Sequence, residues 1–451
     1  MTIPMGAKKI ITALESAGYE AFAVGGCVRD YLMQRPCDDI DITTSATPMQ
    51  TEQVFTDNGI RFIETGLKHG TVSALVDGVT FEVTTYRTDG DYKDSRHPEK
   101  VEFVTDIKED LSRRDFTINA IAYNENAGFV DLFGGRADIS NKVIRAVGDA
   151  DKRFKEDALR IMRAIRFASV LSFDIEPETK KALFDNKELL KNVSAERIFT
   201  ELSKLLMGDC VFDILVEYRE IIAVVIPELE PIFNVAQNTK WHIYDVWQHT
   251  CKAVEQSPKD LALRLTMLFH DIGKAYAKTT DENGTDHFKG HQRISADYTE
   301  TALKRLKVSN EIYDRVMYLV PIHDMHIGTD KKKIKKWLTK AGEDRLRDLI
   351  EVKRADKLAQ NPEMTAEELN NLDLTQSVLD EIIEEGEPFA IKDLAVNGND
   401  IMSLGLKGRQ IGTALNLLLD KVIENELPND KESLIGYINE ARENLWVKMM
   451  N

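Results

Sequence analysis

The segment Gly25-Gly26-Cys27-Val28-Arg29-Asp30 is followed nine residues later by Asp39-Ile40-Asp41. The residues before it, 19–24, are predicted to form a short buried strand, and residues 27–34 are predicted to form a helix. Two glycines allow the backbone to turn tightly and to approach a ligand closely. The first N–H groups of a helix have no partner within it, so we expect them to face an anion such as a phosphate.

Two carboxylates, Asp39 and Asp41, lie two positions apart on a second predicted strand, residues 39–44. A period of two places both side chains on one face of the strand. Hard oxygen ligands beside a phosphate-binding turn are suited to Mg²⁺ with a triphosphate. The alternative is a solvated strand edge, and the glycine turn directly upstream argues against it.

Composition limits the kind of protein. The chain has 451 residues with 43% hydrophobic and 30% charged residues, which predicts two to four globular domains. No apolar run is long enough to span a bilayer, and residues 1–15 resemble an amphipathic helix more than a signal peptide. The four cysteines form no C-x-x-C pair and are expected to be reduced thiols of a cytoplasmic protein.

The formal net charge of −17 argues against indiscriminate nucleic-acid binding, but it allows a local basic patch. The run 331–336, Lys-Lys-Lys-Ile-Lys-Lys, is one candidate. A solvated helix face is an equally good interpretation of this run. No membrane or protein partner is evident from the sequence.

The order of patterns predicts an α+β protein with a small α/β head and a long helical remainder. Segments 70–76 and 79–86 are β-rich and meet at Asp77-Gly78, which favours a hairpin. The polar segment 87–100 is expected to be a mobile loop, followed by a strand at 101–105. Helical periods dominate after Asp149.

A predicted helix at 106–123 carries polar groups that interrupt its apolar stripe, namely Arg114, Asp115 and Asn119. They are suited to charge-assisted hydrogen bonds with sugar hydroxyls and phosphates. A surface cluster of salt bridges is the alternative. A second helix, predicted at 152–170, places Asp157 and Arg160 three positions apart on one face.

The pair Asp157 and Arg160 is interpreted either as an ion pair within the helix or as a reader of bases. A carboxylate accepts hydrogen bonds and a guanidinium donates them. Cytosine and adenine each present an amino donor beside a ring-nitrogen acceptor, whereas guanine and uracil present the reverse order. Such a pair would select C and A, since an unpaired buried polar group is costly.

In this order, G-G-x-x-R-D, D-x-D, R-R-D-x-x-x-N and E-D-x-x-R resemble the class II tRNA nucleotidyltransferases. These are the CCA-adding enzymes and related poly(A) polymerases of the polymerase β superfamily. The resemblance covers about residues 20–208. It implies that the triphosphate is held by Gly25, Gly26 and Arg29, that two Mg²⁺ ions are bound by Asp39 and Asp41, that ribose is recognised by Arg114, Asp115 and Asn119, and that the incoming base is read by Asp157 and Arg160.

The resemblance also implies a third catalytic carboxylate and two structural elements. Glu82 is assigned as that carboxylate, with Glu64 as a rival. Gly134-Gly135 with residues 138–145 resembles the hinge between head and neck. Residues 196–202 resemble the element that stabilises the neck. The domains expected are a nucleotidyltransferase head at 1–138, a helical neck for base recognition and RNA binding at 139–208, a helical body at 209–370, and a helical tRNA-binding tail at 371–451.

A second constellation lies in the predicted body, where His270-Asp271 follows an apolar helix at 261–269. Six side chains in the order H…HD…H…H…D resemble the HD-domain phosphohydrolases, in which imidazole and carboxylate bind one or two divalent metals. The residues are His249, His270, Asp271, His291, His323 and Asp356. The resemblance implies a divalent transition metal, and a metal-stabilised structural domain is the alternative to a hydrolytic one.

The function expected from these features is template-independent addition of CCA to the 3′ end of tRNA, with CTP, ATP and tRNA as partners and Mg²⁺ as cofactor. Whether the HD domain also has a phosphohydrolase side activity is left open by the sequence. The alternatives are a poly(A) polymerase or an enzyme that adds only CC or only A. Residues 87–100 resemble the loop that allows the change from CTP to ATP, which favours full CCA addition. A different class, an HD phosphohydrolase with a nucleotide-binding head, is disfavoured by the intact Asp39 and Asp41.

Overall fold

The computed structural model describes residues 3–37, 39–66, 70–89 and 101–448. The chain divides into two compact units, residues 1–230 with 304–308 and residues 231–303 with 309–451. No helix in the described ranges combines the length and the apolar character that a membrane span requires. The α+β class is confirmed, since the long strands lie in the first part of the chain and helices dominate the rest.

The strands of the first unit are β1 (Ala21–Val24), β2 (Asp41–Thr44), β3 (Arg61–Gly66), β4 (Thr71–Val76), β5 (Val79–Thr85), β6 (Arg87–Asp89), β7 (Val101–Phe103), β8 (Ile121–Asn124), β9 (Gly128–Asp131), β10 (Val143–Ile144) and β11 (Asp174–Ile175). Its helices are α1 (Met5–Ser16), α2 (Gly26–Leu32), α3 (Pro48–Asp57), α4 (Ile107–Ser112), α5 (Gly135–Asn141), α6 (Ala150–Glu156), α7 (Leu159–Leu171), α8 (Pro177–Asn186), α9 (Ala195–Leu206), α10 (Val211–Glu217) and α11 (Arg219–Val225).

The elements that follow are α12 (Val246–Gln256), α13 (Leu261–Phe269), α14 (Lys274–Ala277), β12 (Thr279–Thr280), β13 (Asp286–His287), α15 (His291–Arg305), α16 (Asn310–Leu319), α17 (Lys331–Ala341), α18 (Glu343–Leu358), α19 (Pro362–Glu384), α20 (Gly398–Ser403), α21 (Arg409–Ile423) and α22 (Lys431–Lys448). Short 3₁₀ helices are Thr117–Asn119, Lys187–Asn192, Pro227–Ile232, Val320–Ile322 and Ile391–Asp393.

A seven-stranded sheet organises the first unit, in the order β3-β4-β5-β2-β1-β8-β9. Only β2 and β5 pair in parallel, while the other neighbours are antiparallel. Alternate side chains of β1 enter different cores, with Ala21 and Ala23 on one face and Phe22 and Val24 on the other. The sheet is therefore buried on both faces near β1, and polar side chains gather where β2 begins.

The predicted hairpin is confirmed, because β4 and β5 pair across Asp77-Gly78, and both residues have positive φ.

The bounds of several elements differ from those predicted. The first strand starts at Ala21, the second at Asp41, and the strand expected at 101–105 ends at Phe103. The N-terminal helix spans residues 5–16. Part of the segment predicted as a loop is strand β6, paired with β7, and residues 90–100 lie outside the described ranges.

The prediction of one helix over residues 106–123 is wrong. Helix α4 ends at Ser112, a 3₁₀ turn follows, and residues 121–124 form β8. After the helix has ended, the carboxylate of Asp115 accepts a hydrogen bond from the backbone N–H of Phe116, at 2.8 Å. Phe116 then pairs with Ala146 in an isolated bridge. Tertiary pairing with the sheet overrides a pattern that is also compatible with a helix.

The helix predicted at 152–170 is two helices, α6 and α7, broken at Asp157. The carboxylate of Asp157 accepts from the backbone N–H of Leu159, at 3.1 Å, as the first turn of α7 begins. Asp157 and Arg160 are therefore not paired on one helical face. The small β10–β11 and β12–β13 pairs also interrupt the region expected to be helical throughout.

Candidate active site

The three predicted catalytic carboxylates meet where β2 begins, beside the middle of β5. Asp41 opens β2, and Asp39 precedes it outside the strand. Since Ile42 pairs with Val83, Glu82 lies on β5 beside Asp41. Phe81 and Val83 point into one core, so Glu82 points to the opposite face, as Asp41 does beside Ile42.

The electrostatics confirm that these carboxylates are close. Partial desolvation and the charge of Asp39 raise the pKa of Asp41, and Glu82 adds to that effect while Arg114 opposes it. In the described ranges, no ion pair neutralises Asp39, Asp41 or Glu82. Glu64, the rival, lies on edge strand β3, which is separated from β2 by β4 and β5.

Gly25 forms the turn between β1 and α2 with φ of +80°. A Cβ added there would lie 3.1 Å from Nη1 of Arg114, so glycine allows this guanidinium to approach the turn. Helix α2 is shorter than predicted, Gly26–Leu32, and it contains Arg29. Arg29 is buried, with its guanidinium 5.1 Å from the ring centre of Phe167.

A buried chain of hydrogen bonds connects the predicted nucleotide-binding residues. Nη1 of Arg29 donates to Oδ1 of Asn119 at 2.8 Å, and Nδ2 of Asn119 donates to Oδ1 of Asp115 at 3.1 Å. Nε of Arg163 donates to Oδ2 of Asp115 at 2.8 Å. Burial raises the pKa of Asp115, but Arg163, Asn119 and the N–H of Phe116 outweigh it and hold the pKa at about 2.

Arg114 forms an ion pair with Asp110, whose Oδ2 lies 3.3 Å from Nη2 of Arg114. Asp110 is fully buried, and it also accepts from the hydroxyl of Thr43 at 3.2 Å, next to the catalytic strand position. Burial raises the pKa of Asp110, but Arg113 and Arg114 outweigh it and lower the pKa. The sequence interpretation missed Asp110, although its place four residues before Arg114 in a helix is a usable signal.

Asp157 and Arg160 each have a partner other than the one predicted. Oδ2 of Asp157 lies 2.9 Å from Nη2 of Arg197 on α9. Nη1 of Arg160 donates to Oε2 of Glu156 at 2.9 Å, and Nη2 donates to the carbonyl oxygen of Arg113 at 2.9 Å. Arg197 and Glu156 are supporting residues that the sequence interpretation did not assign.

Around the predicted hinge, the carboxylate of Asp138 accepts from the hydroxyl of Thr117 at 2.6 Å and lies 3.2 Å from Nε of Arg145. A Cβ on Gly135 would lie 2.1 Å from the carbonyl oxygen of Thr117, so α5 packs directly on the 3₁₀ turn. The predicted neck element lies in α9, where Glu201 contacts Arg166 at 2.9 Å.

In the second unit the six predicted ligand residues come together. Oδ2 of Asp271 lies 3.2 Å from Nε2 of His270 and 3.4 Å from Nε2 of His249. Its Oδ1 lies 3.2 Å from Nε2 of His291 and 3.9 Å from Nε2 of His323. Oδ1 of Asp356 lies 3.1 Å from Nε2 of His249. Two triads therefore share Asp271, one with His249 and His270 and the other with His291 and His323.

The second nitrogen of each ring fixes its tautomer. Nδ1 of each histidine lies 2.7–3.2 Å from a backbone carbonyl oxygen, which accepts only, so Nδ1 carries a proton and Nε2 is the nitrogen that a metal would bind. Nε2 of His249 faces Nε2 of His270 at 3.3 Å, and His291 faces His323 at the same distance. Two such nitrogens at this distance need a proton or a metal cation between them, so this donor set fits a metal.

The surrounding charge favours a cation. Burial lowers the pKa of His270, but Asp271 and Asp356 outweigh it and raise the pKa to about 9. Burial and the nearby His270 lower the pKa of His323 to about 4, so this ring is neutral near pH 7. Nζ of Lys274 lies 2.6 Å from Oδ2 of Asp271 and neutralises part of the negative charge of this carboxylate.

The basic run at 331–336 is neither an open basic patch nor a plain solvated face. Lys331 and Lys335 form ion pairs with Glu387, and Lys332 and Lys336 form ion pairs with Glu424. The run therefore connects α17 to the segments after α19 and at the end of α21.

Three family models match the chain. They are described as "Poly A polymerase head domain" over residues 21–145, "Probable RNA and SrmB- binding site of polymerase A" over 172–233, and "tRNA nucleotidyltransferase domain 2 putative" over 291–438. A CCA-adding enzyme of Streptococcus thermophilus is 34% identical over 437 residues, 96% of this chain and 96% of that one. The chain belongs to the class II CCA-adding enzymes.

Other members agree with this assignment. The CCA-adding enzyme of Lactiplantibacillus plantarum is 52% identical over 202 residues, 45% of this chain and 49% of that one. The structure of the Bacillus stearothermophilus CCA-adding enzyme in complex with CTP covers 98% of this chain and 99% of its own, with a TM-score of 0.72 and 28% identity.

Proposed function

We propose that this chain adds C, C and A to the 3′ end of tRNA from CTP and ATP, without a nucleic-acid template, in the cytoplasm. The observation that carries the proposal is the edge of the sheet where Asp39, Asp41 and Glu82 lie beside Arg114 and the Gly25 turn. Three carboxylates with no ion pair among the described residues suit a divalent cation, and a nearby guanidinium suits a phosphate.

In the proposed reaction the 3′-hydroxyl oxygen of tRNA attacks the α-phosphorus of CTP or ATP. The bond from that phosphorus to the bridging oxygen breaks, and pyrophosphate leaves. Asp39 and Asp41, with Glu82, would hold Mg²⁺, which when bound favours loss of the hydroxyl proton and offsets phosphate charge. The chain Arg29–Asn119–Asp115 orients the sugar and triphosphate from one side, because its buried hydrogen bonds leave little freedom of movement.

Base selection is assigned to Asp157 and Arg160. Both side chains are fixed by neighbours, Arg197 and Glu156, rather than by each other. Each therefore presents its remaining donors or acceptors in a defined direction, which is what a protein template for C and A requires.

The test is incubation of the purified protein with tRNA that lacks its 3′ CCA, with CTP alone, ATP alone, or both. We expect two C residues from CTP alone and CCA from both. A long A tract from ATP alone would indicate a poly(A) polymerase, and arrest at CC with both nucleotides would indicate a CC-adding enzyme. No extension under any condition would contradict the proposal.

A second candidate function rests on the four convergent Nε2 atoms of the cluster in the second unit. We call this cluster the histidine centre; it comprises His249, His270, Asp271, His291, His323 and Asp356. We propose that His249, His270 and Asp356 hold one divalent transition metal and that His291 and His323 hold a second, with Asp271 between them. Imidazole-rich ligand sets suit Mn²⁺, Fe²⁺, Ni²⁺ or Zn²⁺. Metals held there would supply an activated water for hydrolysis of a phosphoester.

Elemental analysis of the purified protein tests the histidine centre, together with hydrolysis of bis(p-nitrophenyl) phosphate. We expect up to two metals per chain and hydrolysis that His270→Ala removes. A protein that holds no metal after growth in metal-supplemented medium would contradict this function and would leave the histidines as core residues.

A further inference from the structure

A polar cavity of about 320 Å³ lies in the second unit, between the segment before α17 and helices α18 and α19. Three lysines line it, Lys333, Lys353 and Lys357, together with His326, Thr329 and one carboxylate, that of Glu368. A group of three lysines is unexpected in a protein whose formal net charge is −17. The volume is near the lower end of small-molecule sites, which span roughly 300–1,000 Å³.

The positive charge of this cavity is only partly compensated. Nζ of Lys333 lies 3.1 Å from Asp330, and Nζ of Lys357 lies 3.4 Å from Glu368. Lys353 is half-buried, and it forms no ion pair or hydrogen bond among the described residues. Burial and the charge of Lys357 lower the pKa of Lys353, and nearby carboxylates oppose this shift. A half-buried ammonium without a partner is costly unless an anion binds beside it.

The cavity adjoins the histidine centre. Lys353, Asp356 and Lys357 lie at positions i, i+3 and i+4 of α18, so they share one face of the helix. Nζ of Lys357 lies 3.6 Å from Oδ2 of Asp356, whose other oxygen faces His249. His326, three residues after His323, lines the cavity.

We propose that this cavity binds a second phosphate group of the molecule that the histidine centre takes. The ligand class is a small molecule with two phosphates, one at the centre and the other held by Lys353 with Lys333 and Lys357. This inference rests on the proposed function of the histidine centre. Lysine ammonium groups bind phosphate as point charges, and Lys353 supplies the one that has no ion-pair partner among the described residues, with Lys333 and Lys357 beside it.

The test compares two ligands that differ by one phosphate, propane-1,3-diol bisphosphate and propyl phosphate. Their Kd values are measured by calorimetry with the full chain loaded with Mn²⁺, in an Asp41→Asn background so that the head contributes little. We expect the bisphosphate to bind at least about ten-fold tighter. Lys353→Gln should remove this advantage, whereas Lys340→Gln, at an exposed position of α17 outside the cavity, should keep it.

Metal content and thermal unfolding of each variant show whether it is folded. Equal affinities for the two ligands in a protein that holds metal, or an advantage that survives in Lys353→Gln, would overturn the inference and leave the histidine centre intact. A protein that holds no metal and binds neither ligand would overturn both.

Discussion

At the residue scale, the choice between Glu82 and Glu64 follows from sheet order, because β5 neighbours β2 and β3 does not. We predict that Glu82→Gln lowers the rate of nucleotide addition by about 100-fold or more, since it removes a ligand of the Mg²⁺ that would offset phosphate charge in the transition state. Glu64→Gln is the matched control and should keep its rate. Single-turnover addition to tRNA lacking CCA measures both, and a larger loss in Glu64→Gln would reverse the assignment.

Base selection is tested at Arg160. Its guanidinium donates hydrogen bonds to three acceptors, the carboxylate of Glu156 and the carbonyl oxygens of Arg113 and Arg153. We predict that Arg160→Ala slows addition and reduces preference for CTP and ATP over UTP and GTP by about ten-fold or more, since a paired base contact carries about 1–3 kcal/mol of discrimination. Arg61→Ala, on edge strand β3, is the control. Unchanged preference in Arg160→Ala would place base reading elsewhere.

The Asp115–Arg163 pair makes stability depend on pH. The pKa of Asp115 is about 2 in the folded chain, below its usual value, so the pair stabilises above about pH 4 and the contribution is lost as pH falls through the folded pKa. We predict that Arg163→Gln lowers the free energy of unfolding by about 2 kcal/mol at pH 7 and by roughly half of this at pH 3. Urea unfolding followed by circular dichroism measures it, and a difference independent of pH would argue against this origin.

At the scale of elements, the packing of α15 on the turn that follows His270-Asp271 decides whether the histidine centre assembles. A Cβ on Gly273 would lie 2.1 Å from the carbonyl oxygen of His291, a backbone atom that cannot move alone. We predict that Gly273→Ala lowers the metal content at least about ten-fold and leaves CCA addition intact. Gly412→Ala, in α21 with nothing within 4 Å of the added Cβ, is the control and should stabilise its helix by roughly 0.5–1 kcal/mol.

Elements with a local signal are predictable from the sequence, and elements fixed by distant partners are not. Helix α13 has the predicted bounds, because an apolar run begins directly after the capping Asp260. The segment 106–123 was not predictable from its apolar spacing, since strand β8 exists only through pairing with β1 and β9. The expected role of residues 87–100 in the change from CTP to ATP stays a prediction.

The same distinction applies to the site. The motifs predicted which residues gather, including all six members of the histidine centre. They did not predict which side chains form ion pairs with one another, because the partners are far apart in sequence. Examples are Arg197 with Asp157 and Glu201 with Arg166. The break of the helix at Asp157 also changes the geometry, since its carboxylate is used by the first turn of α7.

At the scale of the whole molecule, the two units carry different chemistry, with carboxylate oxygens in the first and imidazole nitrogens around a shared aspartate in the second. The domain bounds predicted at 138, 208 and 370 stay predictions, while the chain divides at residue 230. Since each site is built from residues of its own unit, we expect each to be removable without the other.

The most direct measurement compares Asp41→Asn and Asp271→Asn in parallel for CCA addition to tRNA and for bound transition metal. We predict that Asp41→Asn loses addition while it keeps tRNA binding and the metal of the histidine centre, and that Asp271→Asn loses that metal while it adds CCA at nearly the wild-type rate. Near-normal addition by Asp41→Asn, or loss of addition in a folded Asp271→Asn, would contradict the assignment of nucleotidyl transfer to the carboxylates of the head.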